Sequence, residues 1–256
     1  MSEQTFGRGV AAEFVGTTIV MLGGPGLMVL GAADLDTLAI AIGFGASLAI
    51  AIGVIGAVTN PMFSLALWFA RAITGRELAG DLVGQTLGAV FGALVIFGLN
   101  DTTRFVSGTT GWEPSTDVIP GVDLGVHLTG FANLGVVLAA ELGLATLLVV
   151  VLLSSITQQR SSAASGAFIG VAYGVSMMFL MPISGGGLNP ARSLAMAIFA
   201  DTDPNALAQV WPFLIVPVIA AFAGLLVWLS IDEASVDDTV FDDTIVESAV
   251  DAATPS

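Results

Sequence analysis

"NPARSLAMAIFA", residues 189–200, and "NPMFSLALWFA", residues 60–70, open on the same dipeptide and continue as apolar segments too short to cross a bilayer. Asn is a favoured helix N-cap, and Pro is well tolerated as the first helical residue. Each stretch therefore reads as a helix of about 10 residues, roughly 15 Å long, or half a membrane thickness. A polar cap at membrane depth is tolerated only where it is buried in protein or lines an aqueous path. The alternative, an amphipathic surface helix in an ordinary loop, leaves such apolar sequences without a reason.

The rest of the chain fits a membrane setting. It is 55% hydrophobic and 11% charged, which excludes disorder and argues against an ordinary soluble globule. About 20 apolar residues cross a hydrocarbon core, and runs of that order fall at 9–31, 37–58, 81–99, 133–153, 163–181 and 209–231. The first run is too long for a cleavable signal peptide, so it is expected to be retained. Small residues let membrane helices approach closely; "GASLAIAIGVIGA" (45–57) and "GALVIFG" (92–98) read as such packing faces. With no cysteine, disulfides and Cys metal sites are excluded. No metal-ligand spacing, phosphate loop or nucleophile constellation is present, so neither enzyme chemistry nor a cofactor is expected.

The duplication extends beyond the Asn-Pro motifs. "AEFVGTTIV" (12–20) resembles "AELGLATLLV" (140–149), and Glu13 precedes Asn60 by 47 residues where Glu141 precedes Asn189 by 48. Each half reads as a span with a Glu, a second span, an Asn-Pro segment and a third span. An odd number of spans per half makes the halves enter from opposite sides, an inverted repeat. The expectation is an all-α membrane protein of six transmembrane helices plus two half-helices in an inverted 3+3 repeat. The half-helix N-termini should meet near the midplane. The organisation expected is an N-terminal segment 1–8, a membrane domain 9–231 (repeats about 9–99 and 133–231, joined by an extracellular loop 100–132) and an acidic tail 232–256.

Charge gives the orientation. All six basic residues are Arg. Arg8, Arg71, Arg76 and Arg160 fall on one side of this topology and Arg104 on the other, which places both termini in the cytoplasm. The net charge is −15, and residues 232–256 hold eight acids and no base. This reads either as a solvated tail or as adaptation to high salt. Nucleic acid is excluded as a partner, since nothing here would neutralise phosphates. Trp68, Trp112, Trp211 and Trp228 are candidate interfacial anchors, "TGRELAGD" (74–81) a cytoplasmic turn with Asp81 capping or solvated, and Thr17 and Thr146 helix-packing hydroxyls. The single histidine, His127, falls in the long loop.

Taken together, "GGGLNPARS" (185–193), the Asn60-Pro61-Met62 copy and "VWPFLIVPVIAAFAGLL" (210–226) resemble the aquaporin and glycerol-facilitator family. The resemblance covers about 9–231. It implies a passive channel in the cell membrane for water or small neutral solutes such as glycerol, assembled as a homotetramer. It departs from the family at Met62, where Ala is usual, and in the short "GAVTNP" (56–61).

In that reading Asn60, Pro61, Met62, Asn189, Pro190 and Ala191 form the pore midpoint. Each half-helix N-terminus carries roughly half a positive charge. The asparagine side chains cap through their oxygens and leave their NH₂ groups free to donate to passing water, so that cations and protons are opposed. Arg192 takes the place of Phe63 in the other repeat; an Arg at membrane depth is functional by default, although one snorkelling to the interface as a structural tie is the alternative. By family position the selectivity filter is Phe44, Met177, Gly186 and Arg192, less polar than a strict water filter. Met62 is bulky and flexible, and either narrows the pore or turns into packing. Glu13 and Glu141 are intramembrane acids with two readings: proton or ion sites of a coupled secondary transporter, or loop supports accepting from backbone N–H groups. The resemblance and the symmetry favour the second.

Overall fold

A computed structural model describes residues 3–31, 34–99, 109–112, 132–157, 161–200 and 205–231. Its first repeat contains α1 (Glu3–Gly23), α2 (Pro25–Leu30), α3 (Thr37–Ile50) with a π-helical turn (Ala51–Ile55), α4 (Pro61–Phe69) and α5 (Gly75–Gly98). The second contains α6 (Leu134–Thr157), α7 (Ser162–Ser184), α8 (Pro190–Phe199), a short α9 (Ala206–Gln209) and α10 (Trp211–Ile231). Among the described residues, six stretches are long and apolar enough to cross a membrane: Phe6–Leu30, Thr37–Ile55, Gly75–Gly98, Leu134–Ile156, Ser162–Ser184 and Ala206–Ile231. The fold is that of an all-α membrane protein with six spans and the two half-helices α4 and α8.

Helix starts follow local capping. The third span begins at Gly75 rather than 81, because Thr74 and Glu77 form a capping box. Glu77 N–H donates to Thr74 Oγ1 at 3.3 Å, and Thr74 N–H donates to Glu77 Oε2 at 2.8 Å. The "TGRELAGD" stretch is therefore mostly helix, not a turn. Asp81 neither caps nor lies free in solvent; it sits inside α5 and accepts from Ser64 Oγ at 3.0 Å. Helix α1 already runs at Glu3, ahead of the run expected from residue 9.

Packing follows the repeat. Helix α1 lies along α5, α6 along α10, and the two second spans, α3 and α7, against each other across the repeats. Glycines allow these approaches. A Cβ built on Gly45 would lie 2.5 Å from the Gly170 carbonyl oxygen, and one on Gly84 would lie 2.5 Å from that of Val10, so any side chain there would force the helices apart. Of the "GALVIFG" stretch, Gly92 packs on Met21 but Gly98 faces open space. The hydroxyl that ties α1 to α5 is that of Thr18, which donates to Phe14 O at 2.8 Å and Gly88 O at 3.3 Å. Thr17 Oγ1 is buried and makes no bond among the described residues.

The half-helices are embedded. Helix α4 touches α5, α6, α8 and α10, and α8 touches α5 and α10; surface helices would not. Of the tryptophans, Trp68 and Trp211 are exposed, as interfacial anchors require. Trp228 is buried in the main core instead, and Trp112 packs against the cluster of Ala132, Val137 and Phe213. His127, Arg104, Arg160 and the tail 232–256 lie outside the described residues.

Candidate functional site

The two half-helix starts meet crosswise. Asn60 and Asn189 both sit in extended backbone, as N-caps do, each followed by Pro at the first helical position. Asn60 Oδ1 accepts from Met62 N–H at 3.0 Å, and Asn189 Oδ1 from Arg192 N–H at 3.2 Å. Each amide nitrogen then reaches into the other repeat: Asn60 Nδ2 donates to Leu188 O at 3.1 Å, and Asn189 Nδ2 donates to Thr59 O at 2.8 Å. An NH₂ group has two hydrogens. The amides expected to be wholly free each spend one on the opposing loop, which leaves one N–H of each still able to donate. Both side chains are deeply buried, at 1% and 2% exposure.

In the first repeat, the loop into α4 is shaped by a left-handed residue and a carboxylate. The π-helical turn ends at Gly56, with φ +77°, and Thr59 takes φ +60°. A non-glycine residue in this region is strained by roughly 1–2 kcal/mol and persists only when its surroundings hold it. Glu13 does so. Its Oε1 accepts from Val58 N–H at 2.6 Å, and its Oε2 accepts from Thr59 N–H at 2.7 Å and Gln85 Nε2 at 3.0 Å. Gln85 Nε2 also donates to Ser64 Oγ at 2.9 Å, which continues to Asp81. A buried polar chain thus backs α4 from α1 to α5. Met62 is fully buried in the main core.

The second repeat solves the same problem with different chemistry. Glu141 Oε1 accepts from Ser184 Oγ at 2.5 Å and from Gly187 N–H at 2.6 Å. Gly185 and Gly186 are both left-handed, with φ +79° and +75°, and this double turn presents two carbonyls to one side chain. Arg192 Nη1 donates to Gly186 O at 2.6 Å, and Nη2 donates to Gly185 O at 3.0 Å. Arg192 is 1% exposed, so it does not snorkel. Its guanidinium stands 5.6 Å from the Phe44 ring centroid, and a Cβ on Gly186 would lie 2.6 Å from Met177 Sδ. Phe44, Met177, Gly186 and Arg192 are therefore neighbours, although they come from α3, α7 and the loop before α8.

Two further residues join this group. Met28, on α2, lies with its sulfur 3.5 Å from Arg192 Nη2; the Gly24-Pro25 break in the first span, which starts α2, was its signal. Tyr173 lies one turn before Met177 on α7, with its ring centroid 6.2 Å from that of Phe44. Gly24 makes room for this arrangement, since a Cβ there would overlap the Phe44 ring. A separate apolar groove of about 380 Å³ runs between α3 and α7, past Ile42, Gly170 and Val171. Its outward-facing, exposed Ile42 and Val171 set it apart from this polar site.

A family model described as major intrinsic protein matches residues 1–228. This chain belongs to the major intrinsic protein family. It is similar to the Aquaporin Z of Brucella melitensis, at 31% identity with 86% of this chain and 95% of that one covered. It is also similar to the Aquaporin Z of Photorhabdus laumondii, at 27% identity with 85% and 94% covered. Its fold matches the X-ray structure of the aquaglyceroporin from Plasmodium falciparum, with a TM-score of 0.68 and 19% identity, covering 88% of this chain and 96% of that one. As a major intrinsic protein, the chain is a multi-pass membrane channel and not an enzyme.

Proposed function

We propose that this major intrinsic protein is a passive conduit for water, and for small neutral solutes such as glycerol, that excludes ions and protons. The observation that carries this reading is the crosswise meeting of the half-helices. Their N-termini concentrate two partial positive charges in one place, and Asn60 and Asn189 each retain an N–H that can donate to a solute oxygen. A water held by such donors cannot pass a proton along an unbroken file. Pro61, Met62, Pro190 and Ala191 complete this midpoint. Phe44, Met177, Gly186 and Arg192 form the selectivity filter. There the Gly185 and Gly186 carbonyls fix the guanidinium, so a cation meets a preplaced positive charge.

Glu13 and Glu141 act as loop supports. Both carboxylates are taken up by loop amides and by side-chain donors, an arrangement that suits fixed geometry better than repeated protonation. Both termini face the cytoplasm on the arginine distribution, and the channel assembles as a homotetramer on the family pattern.

Proteoliposomes test the reading. Fast, non-saturating shrinkage under an osmotic gradient, indifferent to a pH gradient, is the expected result. Saturable uptake that collapses with the proton gradient would mean coupled transport through Glu13 or Glu141. Comparing water, glycerol, urea and ammonia fluxes in one preparation identifies the solute.

A further inference from the structure

Tyr173 is the chain's only tyrosine, and none of the contacts described above uses its hydroxyl. The side chain is 1% exposed, and its oxygen has no hydrogen-bond partner among the described residues. A buried hydroxyl normally finds a partner in protein or ordered water, and an orphan at membrane depth is costly enough to need a reason. Its place supplies one. Residues four apart on a helix share a face, so Tyr173 stands on the same side of α7 as Met177, one turn further from the Gly185–Gly186 loop. Its ring packs on Phe44, which itself lies beside the Arg192 guanidinium.

Resting on the channel reading above, we propose that Tyr173 is a further specificity-determining residue of the conduit. Its hydroxyl is the hydrogen-bonding station that a water or a solute hydroxyl meets just inside the Phe44–Met177–Arg192 cluster. A phenol both donates and accepts, so it can serve a water or a polyol in either orientation. Its aromatic ring fixes the width at that level. The station also explains how a filter poor in polar side chains stays wettable: Met177 and Phe44 are apolar, Ser176 spends its hydroxyl on the Ala172 carbonyl, and one turn back on Met177's face of α7 stands this oxygen.

The test uses the full chain in proteoliposomes with wild type, Tyr173→Phe and Tyr173→Val, read for water and glycerol per channel. Tyr173→Phe keeps the ring and the packing. It is expected to lower water permeability about three- to tenfold, the equivalent of one net hydrogen bond. Tyr173→Val removes the ring and is expected to raise the glycerol-to-water ratio by at least about fivefold. If wild type conducts and both variants match it within the scatter of the assay, the assignment of Tyr173 is overturned and the channel reading stands. If wild type conducts neither solute above empty liposomes, the channel reading itself falls and takes the assignment with it. Should Tyr173→Val be poorly folded by size-exclusion chromatography, Tyr173→Phe alone decides.

Discussion

The polar anchor of the first repeat allows a quantitative prediction. Glu13→Ala would strand three donors: the N–H groups of Val58 and Thr59 and one of the two Gln85 amide hydrogens, the other being held by Ser64. Each unsatisfied donor costs about 1–3 kcal/mol. Removing the carboxylate also relieves several kcal/mol of desolvation, so the expected net loss is roughly 2–4 kcal/mol. Glu13→Gln has nearly the same shape and keeps one acceptor oxygen, but it turns an NH₂ toward a backbone N–H; about 1–2 kcal/mol is expected from that one lost bond. The damage should not stay local, because the Thr59 carbonyl receives the Asn189 amide. Both variants should therefore lose water permeability in proportion to stability, with Ala worse than Gln. Reversible denaturation of detergent-solubilised protein, paired with stopped-flow shrinkage of proteoliposomes, gives the two numbers. Equal stability in all three proteins would refute the support role. So would a Glu13→Gln protein that keeps wild-type stability yet loses a dependence on the proton gradient.

Gly45→Leu should fail to fold, because its side chain would meet the Gly170 carbonyl where α3 crosses α7; overpacking costs about 1–3 kcal/mol or more, and recovery of monodisperse protein reads it out. Met177→His should shift selectivity toward water over glycerol, and an unchanged flux ratio would mean that Met177 is not at the filter. In Asn60→Ala, Asn189→Ala and the double variant, each single change removes a cap worth about 1 kcal/mol together with a cross-repeat bond. Because the two bonds close one junction, the double variant should lose less stability than the two singles added together, as a thermodynamic cycle would show.

The outline of this fold was legible because two signals are local. Apolar runs mark the spans, and the Asn-Pro pair fixes cap and first turn within two residues, so α4 and α8 could be placed to within a residue from "NPMFSLA" and "NPARSLA". The matched spacing from Glu13 and Glu141 to the motifs also survived, since both carboxylates do reach the loop amides. The missing pieces were those whose partner lies far along the chain. Nothing near Asp81 announces Ser64, and the hydrophobic run that marked the third span hid a capping box that opens nearly two turns earlier, at Thr74. Met28 stands beside the arginine, and Tyr173 against Phe44, through tertiary packing. The asparagine amides illustrate the limit well: capping chemistry follows from position, but the spending of one hydrogen on the opposite repeat needs both halves in view.

That exchange of amides has a consequence for assembly. Each half of the chain finishes the other's loop, so neither is self-sufficient: a repeat expressed alone would enter lipid with a bare carbonyl, at Leu188 or at Thr59, and an unclaimed asparagine. The two halves behave like clasped hands, and the clasp can close only after the start of α8 has been delivered to the bilayer. If the chain were cut within the long connection between the repeats, co-expressed fragments should find each other and restore the junction, while either one produced singly should be recognised as unfinished and degraded.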